Sequence, residues 1–263
     1  MKKYGMIIMV GLLALFLLQS VGCKGKKLEL DPDVATSDEA LYQLGEQSAK
    51  KDPEKARLYF RRNIESFPRS FYAQRAKLAI ADSYFNKGDE GNMIIAASEY
   101  REFISLYPFS PSAPYAQLQI ALTFFKKALK AGRDQTKTTQ ALQELKIVVS
   151  KYPLTDEANT AREHIKVCEE RLAAHSLSIA HYYYKVKSYP AAINRLTEIL
   201  TQYIEFSEMD KVYFYIGDAY FRQKKTDESI PYFTKLITDY PESKLAEKAL
   251  KRMEEIEKIK ENK

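Results

Sequence analysis

The 263-residue sequence contains no tryptophan, two cysteines and three histidines. So few histidines and cysteines leave little material for a metal centre or a nucleophile–base pair. The phosphate-cradling pattern Gly-x-x-x-x-Gly-Lys and the nucleophile elbow Gly-x-Ser-x-Gly are also missing. His164, Cys168 and His175 fall at i, i+4 and i+11, a spacing that sets metal ligands on one helical face. No fourth ligand accompanies them, and Cys168 reads as a buried helix-packing thiol. Neither charge sign dominates: 41 basic residues face 35 acidic ones, a net +6 too dilute for nucleic-acid binding. Carboxylate pairs such as Glu169 and Glu170 read as solvated helix surface. The composition therefore points away from an enzyme, and no cofactor is implied.

Against these absences stands a strong periodicity. Aromatic–proline pairs recur at Phe67-Pro68, Tyr107-Pro108, Tyr152-Pro153 and Tyr240-Pro241, with a degenerate Tyr203-Ile204 in the gap. Marks at such intervals indicate a repeat array. Twelve and eight residues before the second member of each pair stand Ala56 and Phe60, Ala96 and Tyr100, Ala141 and Leu145, Ala192 and Leu196, and Ser229 and Phe233. A small and a bulky residue four apart share one helical face. Ile64, Ile104, Val149, Leu200 and Ile237 continue that face before proline stops the helix.

Each unit has an earlier helix with its own signature: Leu41, Leu44 and Gly45; Ile80, Ala81 and Tyr84; Ile120, Ala121 and Phe124; Ile179, Ala180 and Tyr183; Tyr213, Ile216, Gly217 and Tyr220. These positions resemble the tetratricopeptide consensus. Small residues at Gly45, Ala81, Ala121, Ala180 and Gly217 allow close approach of the two helices. The expected fold is all-α, a right-handed superhelical solenoid of five helix pairs over about 37–68, 70–108, 110–153, 155–204 and 207–241. A capping helix at 243–261 follows, with Ala246, Ala249, Leu250, Met253 and Ile256 as its apolar stripe. Helix starts are expected at Ser70, Thr155, Ser243 and Ser110, the last followed by Pro111, and a capping box at Thr36 and Glu39. An insertion around Lys130 to Asp134 falls in a turn.

Aromatic doublets occupy the first helix of four repeats: Tyr84-Phe85, Phe124-Phe125, Tyr183-Tyr184 and Tyr220-Phe221. Neighbours on a helix diverge by about 100°, so the second members are expected on the inner wall that these helices line, or between adjacent repeats. Arg75, Asp82, His181, Lys185, Asp218 and Arg222 project onto the same wall, interleaved with Tyr42, Tyr115 and Phe214. Such a groove suits an extended or helical peptide. Tyr42, Arg75, Asp82, Phe85, Tyr115 and Phe125 are the peptide-groove candidates.

Lys2 and Lys3 precede an apolar run from Met6 to Leu18, which reads as a secretory signal over 1–22. About 13 residues at 1.5 Å rise span roughly 20 Å, short of the roughly 30 Å hydrocarbon core a spanning helix must cross. Ser20-Val21-Gly22-Cys23 resembles a bacterial lipobox, although leucine is usual where Ser20 stands. The resemblance implies lipidation at Cys23, anchoring by several acyl chains, outer-membrane sorting from Lys24, and a tether over 23–36. Cys168 would then be the only other cysteine, without a disulfide partner.

The lipoprotein start, five repeats, the turn Gly132-Arg133-Asp134-Gln135-Thr136 and the segment Ala192-Ile193-Asn194-Arg195 together resemble the outer-membrane protein assembly lipoprotein family, BamD or ComL. The resemblance implies a lipid-anchored subunit on the periplasmic face of the outer membrane. Its N-terminal repeats would receive targeting segments of unfolded outer-membrane proteins. Its C-terminal repeats would dock on the POTRA domains of a BamA-like barrel subunit, with accessory lipoproteins as further partners. The family's docking arginine matches Arg195, and Tyr184, Phe221 and Arg222 are further docking candidates. The insertion in repeat three is shorter than the family's, which bears on contacts with accessory lipoproteins. Alternative readings are a periplasmic coordinator of envelope constriction, CpoB-like but lacking heptads here, and a peptidoglycan-associated scaffold.

Overall fold

The computed structural model describes residues 37–261. The signal, Cys23 and the tether lie outside the described residues. The fold is all-α, a tetratricopeptide-type array of helix pairs with eleven helices and no strand among the described residues. The residues fall into two compact units, one ending at Ala76 and one starting at Lys77, and each has its own packing.

In the first unit, α1 (Asp38–Ala49) lies against α2 (Pro53–Ser66). The seam is tight because Gly45 has no side chain: a Cβ there would stand 2.3 Å from the Phe60 ring. Phe60 and Leu41 are fully enclosed by this pairing. Burial of a side chain of that size contributes roughly 1.5–3 kcal/mol. The start of α1 corrects the expected Thr36–Glu39 capping box. Ser37 is the N-cap, its hydroxyl accepting the Ala40 N–H at 3.1 Å. Glu39 then sits one position too early to reach back to the cap, and accepts instead from the Gln43 amide at 3.1 Å.

The helices that follow are α3 (Phe71–Lys87), α4 (Glu90–Leu106), α5 (Ala113–Phe125), α6 (Thr136–Lys151), α7 (Asp156–Lys185), α8 (Tyr189–Gln202), α9 (Met209–Arg222), α10 (Thr226–Asp239) and α11 (Lys244–Glu261). The core of the second unit is divided into clusters shared by successive helix pairs. Tyr100, Phe103 and Ile120 centre one, Leu145, Val148 and Cys168 the next, Leu196, Ile199 and Ile216 a third, and Phe233, Leu236 and Ile256 the last. Gly217 repeats the device of Gly45, with a Cβ position 2.8 Å from the Phe233 ring. At 30 residues, α7 runs about 45 Å. Its first half packs Ala158, Ala161 and Cys168 into the second cluster, and its last half packs Ala173, Leu177 and Ala180 into the third.

The five aromatic corners share one geometry. Phe67, Tyr107, Tyr152, Tyr203 and Tyr240 each end a helix with φ between −134° and −129°, donating their N–H to the carbonyl four residues back. The residue three further on then donates to the aromatic residue's carbonyl, at 2.9–3.2 Å in all five. In four corners that donor is Ser70, Ser110, Thr155 or Ser243; in the fifth it is Phe206. Ser70, Thr155 and Ser243 cap as expected, accepting from Ala73, Ala158 and Leu245. The Ser110–Pro111 start is corrected: α5 begins at Ala113, with Pro114 in its first turn. Ser110 instead ends a turn, and its hydroxyl accepts only the Ser112 N–H, at 3.3 Å.

Candidate peptide-binding faces

In the first unit, the Arg75 guanidinium lies 4.6 Å from the centre of the Tyr42 ring and 5.8 Å from that of Phe71. Tyr42 is 8 % exposed and raised in pKa by burial, whereas Phe71 is 68 % exposed. This is a cation between a buried and an open ring, worth about 0.5–2 kcal/mol per contact. It offers a ligand both an apolar surface and a positive charge.

In the second unit, Asp82 on α3 organises a polar knot. Its Oδ1 accepts from the Tyr100 hydroxyl at 2.5 Å and from the Tyr115 hydroxyl at 2.8 Å. Burial and the adjacent carboxylate push both phenols up, so they remain donors. Phe85 is 8 % exposed and part of the core, meeting Tyr100 edge-on with the Lys126 ammonium 4.0 Å from its ring centre. Phe125 is half-buried against the His164 ring, 4.4 Å between centroids. His175 bonds the Ala131 carbonyl at 2.6 Å and Cys168 is fully buried, its thiol pushed up to about 11 by burial. The three residues that shared a metal-like spacing thus each have separate surroundings.

A second acid occupies the position after the small residue of its helix, as Asp82 does. Asp218 on α9 is 1 % exposed and accepts from the Tyr184 hydroxyl, from Arg222 Nε at 2.5 Å and from Arg252 Nε at 2.8 Å. Burial pushes its pKa up, but these donors and the Arg222 charge outweigh that and hold it below the usual carboxylate range. Tyr184 is pushed up to about 12 by burial and by the Asp218 carboxylate it donates to. Beside it, His181 and Tyr215 complete a ring cluster, with centroids of Tyr184 and Tyr215 5.0 Å apart. Burial, with Lys185 and Lys211 nearby, lowers the His181 pKa, so the imidazole is neutral at pH 7.

Tyr184, Asp218 and Arg222 are therefore brought together, and Arg252 lies over Phe221 at 4.8 Å. Arg195 stands apart on α8, half-exposed and paired with Glu198 at 2.9 Å. Arg252 was missed by sequence reasoning, which took α11 as a lid. The available signal was its place among the apolar positions Ala249 and Ile256, where a cation implies a buried acid.

No helix among the described residues is long and apolar enough to cross a membrane. A family model described as an outer membrane lipoprotein matches residues 34–225, and a tetratricopeptide-repeat model matches 211–243. The chain is 31 % identical to the outer membrane protein assembly factor BamD of Caulobacter vibrioides over 76 % of its own length, spanning 65 % of that relative. It is 26 % identical to the BamD of Rickettsia prowazekii, covering 85 % of this chain and 87 % of the relative. Among solved structures, the TPR2AB domain of yeast Sti1 aligns over 80 % of each chain at 13 % identity, with a TM-score of 0.43. With a model covering most of its length, the chain belongs to the YfiO family of outer membrane lipoproteins.

Proposed function

We propose that the chain is a non-catalytic subunit of the outer-membrane protein assembly machinery. It is held to the periplasmic face of that membrane by a lipid on Cys23, and acts by binding other proteins. The observation that carries this reading is the family match over residues 34–225, together with relatives named as assembly factors. In this role the first repeats take targeting segments of unfolded barrel proteins. The last repeats dock on the POTRA domains of the barrel subunit.

The surroundings of individual residues support particular contacts for each event. Phe85 is a core residue, so the open Phe71–Arg75 pair is the better client contact in the N-terminal unit. Arg195 is held only by an exposed i,i+3 pair, an arrangement worth well under 1 kcal/mol. A partner carboxylate can therefore recruit it at little cost. Two experiments test the two halves. Arg195→Glu abolishes co-purification of the barrel subunit; retention at high salt contradicts docking there. Phe71→Ala combined with Arg75→Glu weakens binding of a peptide copied from the C-terminal segment of a barrel protein by about tenfold, roughly 1.4 kcal/mol, with helicity unchanged. Unaltered affinity contradicts client binding at that face.

A further inference from the structure

At two successive aromatic corners the residue two places after the aromatic one is large, apolar and outside the core. Phe109, after Tyr107-Pro108, is 97 % exposed, and Leu154, after Tyr152-Pro153, is 98 % exposed. Leu106, the last residue of α4, adds more open apolar surface beside Phe109. The equivalent residues at the other three corners are Arg69, Glu205 and Glu242. At the Tyr203 corner Ile204 is exposed too, but Glu205 and Glu208 flank it, so the apolar run of tips ends there. One exposed apolar side chain needs no explanation, whereas neighbouring ones that line up mark a contact surface.

These two tips stand on one edge. Helix α5 packs against both α4 and α6 through compact connections, which set neighbouring helices antiparallel, so α4 and α6 run the same way. Arg101 on α4 reaches Glu144 on α6 at 2.7 Å. Arg101 lies five residues before the end of α4 and Glu144 seven before the end of α6, so the two ends are level to about one turn. The edge is close to neutral. No charged residue occurs between Glu102 and Lys126, which leaves the first tip bare of charge. At the second, Lys151 and Arg162 stand against Asp156 and Glu157, and Arg162 donates to the Pro153 carbonyl at 3.0 Å. Half-buried Tyr107 and Tyr152 form the base of each tip, and tyrosine is a residue favoured at the boundary between water and lipid.

Side chains exposed to this degree are projections, with no cleft around them for a peptide to fill. A fluid apolar layer receives projections without a complementary shape. Such a layer is close at hand on the reading that Cys23 is acylated: fourteen residues separate Cys23 from Ser37, a reach of at most about 50 Å. We propose that the edge made by the corners after α4 and α6 rests on the bilayer to which the chain is anchored, with Phe109 and Leu154 entering between the lipid headgroups. The contact is apolar, so it requires neither anionic lipid nor low salt. This rests on the anchored reading and adds an orientation to it: the anchor keeps the chain near the membrane, and the two tips decide which edge faces the lipid.

The absence of tryptophan makes a direct test available. Phe109→Trp and Leu154→Trp each place a single fluorescent reporter at a tip, and Leu129→Trp, an exposed position in the turn at the other end of α5, places one on the opposite edge. The acylated full chain is reconstituted on vesicles of phosphatidylcholine and phosphatidylethanolamine, which carry no net charge. Emission from both tip reporters is expected to shift to shorter wavelength and to be quenched by brominated acyl chains, in low and high salt alike, while Leu129→Trp keeps the emission of a water-exposed indole. Adding Leu154→Asp to Phe109→Trp, at a position too exposed to alter the melting temperature, reduces the shift. Tip emission unchanged by vesicles, equal shifts at all three positions, or a shift abolished by salt overturns the proposal. Flotation with Cys23→Ser tests the anchor separately. A chain that floats with unshifted tips keeps the anchor and loses the edge contact, whereas tip shifts that persist in Cys23→Ser at raised lipid concentration keep the edge contact without the anchor.

Discussion

Gly217 and Gly45 show how single atoms set the helix seams. Alanine ordinarily gains up to about 1 kcal/mol over glycine inside a helix. Here the added Cβ meets Phe233 at 2.8 Å or Phe60 at 2.3 Å, so Gly217→Ala and Gly45→Ala are expected to lose about 1–3 kcal/mol in urea denaturation; a stabilised variant contradicts the tight seam. Asp218 gives a pH signature. Because its folded pKa is depressed, its contribution is present above its unfolded value near 3.9 and is lost as pH falls through the lower folded value. Asp218→Asn is therefore expected to cost about 2 kcal/mol at pH 7, the partial exposure of Arg222 and Arg252 moderating the loss. That cost shrinks below about pH 4, and a pH-independent difference would assign the knot to packing alone. Gly45 and Gly217 were legible in the sequence because a small residue at a fixed place in each unit has one physical reason. The destination of Phe85 was not. A doublet announces that its two members diverge, but only the position of α4 decides which of them becomes core.

At the scale of elements, helices and corners follow from periodicity and turn chemistry, which act locally and so can be read in one dimension. Starts shifted where two signals compete. Ser110-Pro111 and Ala113-Pro114 both suit a first turn, and the backbone chose the second; Thr36 and Ser37 are adjacent hydroxyls, and the second one caps. The fusion of two helical stretches into the 30-residue α7 left no mark either, since no proline or glycine occurs within it to register an end. The role of α11 is the clearest element-scale expectation. Ala249 and Ile256 cover Phe233 and Leu236, and Arg252 reaches Asp218. Removing residues 244–261 uncovers both large side chains and deletes one of three donors to a buried carboxylate. Amide hydrogen exchange in α9 and α10 is then expected to rise by about tenfold or more, with α4 and α5 little changed, as local unfolding in a repeat array requires. Uniform acceleration through the second unit would mean that the repeats unfold as one.

For the whole molecule, a core divided among successive helix pairs leaves much of every helix on the surface, and this is where partners can be held without loss of the fold. The Asp218 carboxylate lies beneath the Tyr184 phenol and the Arg222 and Arg252 guanidiniums, which remain partly accessible, so charge and ring surface are presented on a rigid base. Family membership supplies the class of partner; Arg195, Phe71 and Arg75 are the points where binding is expected to be measurable. The most direct test is affinity purification of the tagged full chain from detergent-solubilised outer membrane, followed by mass analysis of what is retained. Stoichiometric recovery of a large barrel subunit is expected. Recovery of peptidoglycan-linked or constriction proteins instead, with no barrel subunit, would contradict a role in outer-membrane protein assembly.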